Sequence, residues 1–144
     1  PATGWTLKSL IVNGVDVSDI RFDVKPGDKL DAVATFTDQR SEISGVLMTA
    51  SGTPTPAYIL VVYSADRRHW IPFSRRTREL SPASDGRFVV PNLPPGDYLI
   101  SAVADLEPGD SNDADFLADL ATHQPVRISL GAGEKKVQNI RAGG

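Results

Sequence analysis

The chain has 144 residues, 40% hydrophobic and 23% charged, with a formal net charge of −3. That is the composition of one folded domain, or one domain with an extension, with no global pull towards nucleic acid. It has no cysteine and only two histidines, which excludes a disulfide framework, a Cys-based zinc site, an iron–sulfur cluster and a cysteine nucleophile, and argues against most metalloenzymes and most general-base catalysis.

Twelve glycines and eleven prolines are many for a helical chain and ordinary for a β protein with frequent turns. The periodicity agrees. Trp5 to Val12 (WTLKSLIV) predicts a strand, ended by the turn pair Asn13-Gly14. Ile20, Phe22 and Val24 alternate with Arg21, Asp23 and Lys25, the pattern of a strand with one dry and one wet face. Pro26-Gly27-Asp28 predicts a turn, and Leu30 to Thr37 and Glu42 to Thr49 predict two more strands.

Ser51 to Pro56 reads as a loop. Tyr58 to Tyr63 (YILVVY) is apolar on both faces, so it predicts a central strand covered on both sides. Residues 64–84 are irregular. Asp85-Gly86 predicts a tight turn before a short strand from Arg87 to Val90, and Pro91 to Gly96, with three prolines, predicts a stiff loop before a strand from Tyr98 to Ala104. The helix signal lies near 113–121: Phe116, Leu117, Leu120 and Ala121 share one face, and Ser111 to Asp113 can cap its start. Val126, Ile128 and Leu130 alternate, Gly131 to Gly133 turns the chain, and Lys136 to Ala142 predicts a last strand. Eight or nine short strands and one short helix indicate an all-β sandwich.

Ile43-Ser44-Gly45-Val46, Ser51-Gly52-Thr53-Pro54, Asp85-Gly86-Arg87-Phe88 and Asn92-Leu93-Pro94-Pro95-Gly96-Asp97-Tyr98 together resemble the carboxypeptidase regulatory-like family of transthyretin-type, Ig-like sandwiches, related to the Cna B modules of bacterial surface proteins. The resemblance implies a β-sandwich over residues 41–144 with Phe88 and Tyr98 in its core. It implies a non-catalytic, exported bacterial module, extracellular, at the cell surface or in the periplasm. Such a fold says little about chemistry. Trp5 to Ser9 with Asn13 to Asp19 resembles the segment that closes a preceding repeat in large tandem proteins of this type. Residues 1–40 are therefore expected to be the closing strands of another unit, with edges exposed unless they pair in cis or complement another chain. The chain opens at Pro1 without Met and reads as a mature or excised piece of something longer.

Four sets of residues are candidates for function. Asp105, Glu107, Asp110, Asp113, Asp115 and Asp119 supply hard oxygen ligands suited to calcium, though not at EF-hand spacing; the bland reading is a solvated loop with an acidic helix start. Arg67, Arg68, Arg75, Arg76 and Arg78, with Trp70 and Phe73 interleaved, give a basic stretch suited to an interface, to an anionic glycan or nucleic acid (the latter disfavoured by the acidic whole), or to pairing with the acidic stretch within a chain or between neighbours; the bland reading is a solvated connection with its aromatics tucked onto the sandwich. Lys8 and Asn139, in the first and last predicted strands, are the pair that an isopeptide of the Cna B kind would join, with Glu42 as the candidate helper acid. Trp5, Tyr58, Tyr63 and Trp70 are the aromatics a sugar platform would use, against a bland reading of core packing. His69 and His123 show no partners in sequence, and no nucleophile elbow, zinc-protease motif or phosphate loop occurs.

The function expected on this basis is a structural module that associates with copies of itself or with neighbouring domains, without nucleic acid, membrane insertion or a required cofactor. An assembly using its termini would hold the terminal Ala142-Gly143-Gly144, which otherwise frays. The alternatives are a carbohydrate-binding accessory module built on Trp70 and a regulatory domain excised from a peptidase.

Overall fold

A computed structural model of the chain describes residues 4–142; Pro1 to Thr3, Gly143 and Gly144, where part of the expectation about the termini falls, lie outside the described residues. The N-terminal strands are β1 (Thr6–Val12), β2 (Val15–Asp16) and β3 (Ala32–Thr37). They form a three-stranded antiparallel sheet of their own, in the order β2-β1-β3. The β1–β2 turn is the expected Asn13-Gly14. Both residues take positive φ, 50° and 82°, as a two-residue hairpin with right-handed strand twist requires.

The alternating segment from Ile20 to Val24 is not a strand, contrary to its periodicity. Both edges of β1 are taken by β2 and β3, and the segment adds to neither outer edge of that sheet. The segment instead runs over the surface and returns through the side chain of Asn13, which accepts from the Asp31 N–H at 2.9 Å.

Three residues separate β3 from β4 (Ser41–Met48), which begins the sandwich. β5 (Ile59–Ser64), β6 (Arg78–Leu80), β7 (Arg87–Leu93), β8 (Gly96–Val103) and β9 (Val126–Leu130) follow, then β10 (Lys135–Val137) and β11 (Ile140–Arg141). One sheet runs β6-β5-β8-β9, all antiparallel. In the other, β4 pairs antiparallel with β7 on one side and parallel with β10 and then β11 on the other. The single last strand expected from Lys136 to Ala142 is thus two short ones. Between them Gln138 N–H donates to Ser44 O at 2.7 Å, directly over Gly45. A Cβ on Gly45 would lie 2.1 Å from Gln138 O, so only glycine admits this approach.

The stretch expected as a stiff loop is shorter than predicted: β7 continues through Pro91 to Leu93. Pro91 sits where the β4–β7 register shifts between Ser41 and Ile43, and there its missing N–H is tolerated.

β5 is covered on both faces, as its sequence requires. Leu60 and Val62 point into the space between the sheets with Ile43, Leu47, Phe88, Val90, Tyr98, Ile100, Ile128 and Ile140, nearly all with almost no exposure. Val61 and Tyr63 point to the opposite face, where Leu117 and Leu120 of helix α1 (Ala114–Ala121) and Trp70 cover them. Asp113 caps α1, its side chain accepting from the Asp115 N–H at 2.9 Å. The fold is an all-β sandwich with one short helix, and the N-terminal sheet is appended to it.

Candidate functional site

The N-terminal sheet is fastened to the sandwich by one polar cluster. Asp19 follows β2 and is buried. Its carboxylate accepts from Arg75 Nε at 2.7 Å, Arg75 Nη2 at 3.0 Å and Arg76 Nε at 2.8 Å. Each guanidinium then reaches a backbone carbonyl on one side of the junction. Arg75 Nη1 donates to Leu7 O of β1 at 2.6 Å, and Arg76 Nη1 to Pro95 O of the β7–β8 corner at 3.0 Å. Burial works to raise the Asp19 pKa, but the hydrogen bonds and charges of the two arginines outweigh it and hold the carboxyl below its ordinary value. The corner beneath is fixed by Tyr98, whose hydroxyl donates to Pro94 O at 2.7 Å. Burial pushes that phenol up to about 12, so it remains a donor.

The arginines expected at an outward interface are therefore divided. Arg75 and Arg76 bind Asp19. Arg78 is half-buried and donates to the carbonyls of Arg75, Pro91 and Asn92 at 2.9 Å each, so it laces internal loops. Arg67 lies 5.0 Å from the Trp70 ring centroid, and Arg68 pairs with half-buried Asp66 at 2.8 Å. Only Arg67 and Arg68 face solvent. Trp70 is 8% exposed, stands edge-on to Tyr63 at 6.0 Å and donates its Nε1–H to Ser64 O. The expected sugar platform does not form: Trp70 and Tyr63 are core, Tyr58 packs against the other core, and Trp5 stands apart on the N-terminal sheet.

The basic and acidic stretches do not form ion pairs with each other among the described residues. Their contacts are neutral or singly charged: Phe73 N–H donates to Asn112 Oδ1 at 2.8 Å, and Ser111 Oγ donates to Glu79. Asp110 accepts from the Glu107 N–H, Asp113 caps α1, and Asp105 and Asp115 face solvent. Among the described residues no three His, Asp or Glu side chains converge to hold a metal ion. Lys8 is exposed on β1, and exposed Asn139 accepts from the Val46 N–H beside β4, so the two stand on different sheets. Glu42 joins neither.

His69 has a partner that spacing did not reveal. Ser64 Oγ accepts the Asp66 N–H at 3.0 Å and is hydrogen-bonded to His69 Nδ1 at 2.7 Å. Burial, and then the charge of Arg76, hold His69 below its ordinary pKa. Ser64 is 2% exposed, and the pair presents no accessible nucleophile. His123 is exposed at the end of α1, its Nδ1–H donating to Asp119 O at 2.8 Å.

Exposed large apolar side chains are most frequent in the N-terminal part of the chain. Of ten exposed large hydrophobic residues among those described, seven lie between residues 5 and 36: Trp5, Val15, Phe22, Val24, Leu30, Val33 and Phe36. β3 is exposed at its first five residues and stands at the sheet's edge.

No protein-family model and no curated protein matches the chain. Several solved structures resemble it. The Bacillus anthracis TIE protein is 10% identical, with 78% of this chain and 20% of that one covered, at a TM-score of 0.47. A streptococcal ancillary pilin is 17% identical over 76% of this chain and 34% of its own, at 0.49. The major pilin subunit of Bacillus cereus is 8% identical over 97% of this chain and 56% of its own, also at 0.49. The chain thus spans between a fifth and just over half of these structures. At such identities and TM-scores, nothing about activity or partners transfers from them.

Two features of the site escaped the sequence: the Asp19 junction and the Ser64–His69 pair. Asp19 stands 56 and 57 residues from its arginines, and no local pattern marks it. The signal that existed was the density of arginine at 75–78 inside a chain of negative net charge, which calls for buried counter-charges.

Proposed function

We propose that this chain is a non-catalytic structural module of an exported bacterial protein, of the carboxypeptidase regulatory-like, transthyretin-type class, and that it associates with copies of itself through its N-terminal sheet. The observation that carries the reading is the gathering of exposed Val, Phe, Leu and Trp side chains on residues 5–36, beside a bare strand edge. Exposed apolar side chains at this density in one segment suit a contact surface better than a fully solvated one. The class is supported by Phe88 and Tyr98, both buried as the motif requires, and by the Pro94-Pro95 corner held by the Tyr98 hydroxyl. No helix among the described residues is long and apolar enough to cross a membrane. A glycan-binding role built on Trp70 is not favoured, because the ring is buried under Arg67 and against Tyr63.

Size-exclusion chromatography with light scattering over a concentration series, followed by negative-stain microscopy, tests the reading. Mass should rise with concentration. A sample that stays monomeric at the highest concentration would sink it.

A further inference from the structure

We propose that β3 is a self-recognition strand: two copies pair β3 with β3, antiparallel and centred on Thr35, joining their N-terminal sheets into one of six strands. The proposal rests on the self-association reading above and gives it a strand, a register and a symmetry. β3 lies at the edge of the order β2-β1-β3. Among the described residues, no backbone hydrogen bond joins Ala32–Thr37 to anything but β1, so the outward N–H and C=O groups of β3 face water.

Natural sheets blunt such edges with charge, proline, brevity or a bulge. The other edge strands here follow that rule. β2 is two residues long and carries Asp16, β6 carries Arg78 and Glu79, β7 carries Pro91, β9 carries Arg127, β10 carries Lys135 and Lys136, and β11 carries Arg141. β3 reads Ala-Val-Ala-Thr-Phe-Thr, six residues with no charge, proline or glycine. The β1–β3 bulge falls in β1, between Leu7 and Ser9, and leaves the outer side of β3 regular.

A second copy is the occupant this edge fits. A two-fold axis perpendicular to the sheet reverses strand direction and preserves the faces, so a residue pairs with one of its own parity. Centred on Thr35, the threonine meets Thr35 of the second copy, Ala34 meets Phe36, and Val33 meets Thr37. Thr–Thr and apolar cross-strand pairs are favourable, and no like charges are opposed along the strand. The flanks are balanced as well: Lys29 and Asp31 precede β3, and Asp38 and Arg40 follow it, so neither end carries net charge into the contact. Phe36, 46% exposed, gains Ala34 as an apolar neighbour, and Val33, 59% exposed, packs on the Thr37 methyl. The two-fold closes at two copies, so longer assemblies need a further surface.

Charge substitution at the symmetry centre tests this. Thr35 is exposed, so Thr35→Lys and Thr35→Glu should keep the wild-type far-UV circular dichroism and melting temperature. Each places like charges opposite one another and should weaken dimerisation about tenfold or more by analytical ultracentrifugation. An equimolar mixture of the two should recover a dimer of mixed composition, because only a contact that sets residue 35 against itself pairs Lys with Glu. Added salt should partly restore each single variant. If wild type associates and Thr35→Lys does so equally well, or if the mixture recovers nothing, β3 pairing is overturned while self-association stands. A wild type that never associates overturns both.

Discussion

Asp19→Asn removes the carboxylate that both guanidinium groups of the cluster bind. The Arg75 and Arg76 side chains are 26% and 13% exposed, and that of Asp19 is 4%. Removing one partner from a buried ion pair costs about 3–5 kcal/mol, because the remaining charge stays desolvated without its counter-ion. The arginines keep some water and each retains a backbone carbonyl, which places the expected loss near the lower bound, about 3 kcal/mol. For a chain of this length that lowers the melting temperature by roughly 6–12 °C. Urea denaturation followed by tryptophan fluorescence reads it well, since Trp5 stands on the N-terminal sheet and Trp70 in the sandwich. A Trp5→Phe background assigns the change to one or the other. The second arm of the cycle is decisive. Adding Arg76→Met to Asp19→Asn should return about 1 kcal/mol or more, because one uncompensated cation is removed with its cause. If Asp19→Asn stays within about 0.5 kcal/mol of wild type, or if the two losses simply add, the junction is not held by this cluster.

Gly45→Ala should be among the most damaging single changes. Its Cβ would sit 2.1 Å from a backbone oxygen, so β10 and β11 must leave β4, with a loss of about 3 kcal/mol or more and a fall in soluble yield; a melting curve like wild type would contradict this. Acid should loosen the junction in one direction only. The folded Asp19 carboxyl titrates below its ordinary 3.8, so the unfolded chain takes up its proton first as pH falls; the stabilisation is complete above that value and lost as pH drops through the lower folded one. Asp19→Asn should flatten that part of the stability–pH curve, and an unchanged slope would assign it to other carboxylates. Lys8 and Asn139 lie exposed on different sheets, so the intact mass of the purified protein should equal the summed sequence, with no ammonia lost.

Elements whose cause is local were legible in the sequence. Asn13-Gly14 makes its hairpin because these two residues accept positive φ, whatever lies around them. Tyr58 to Tyr63 could be recognised as doubly covered because an apolar run on both faces leaves no wet side, and the two clusters divide its side chains accordingly. Asp113 capped its helix as an Asx residue before an amphipathic turn should.

What failed was decided at a distance. Ile20 to Val24 has the alternation of a strand, but alternation alone supplies no partner, and the segment joins neither outer edge of the N-terminal sheet. The arginine stretch looked like a face for a partner; three of its five members turned inward, towards a carboxylate and carbonyls that no spacing rule could nominate. Trp70 looked like a ligand platform because exposure is invisible in sequence, and α1 together with Tyr63 made it core.

The parallel pairing of β4 with β10 and β11 bears on how the sandwich would carry load. Tension entering at Arg40 pulls the start of β4, and tension leaving at Ala142 pulls the end of β11, which runs the same way. Strands pulled so slide lengthwise, and their hydrogen bonds are strained together instead of one after another. Gly45, with Gln138 N–H and the Asn139 side chain bridging onto β4, extends that seam across the gap between the two short strands. A domain joined in this way resists being drawn out by its ends far better than one opened like a zip, a useful property in any link under pull.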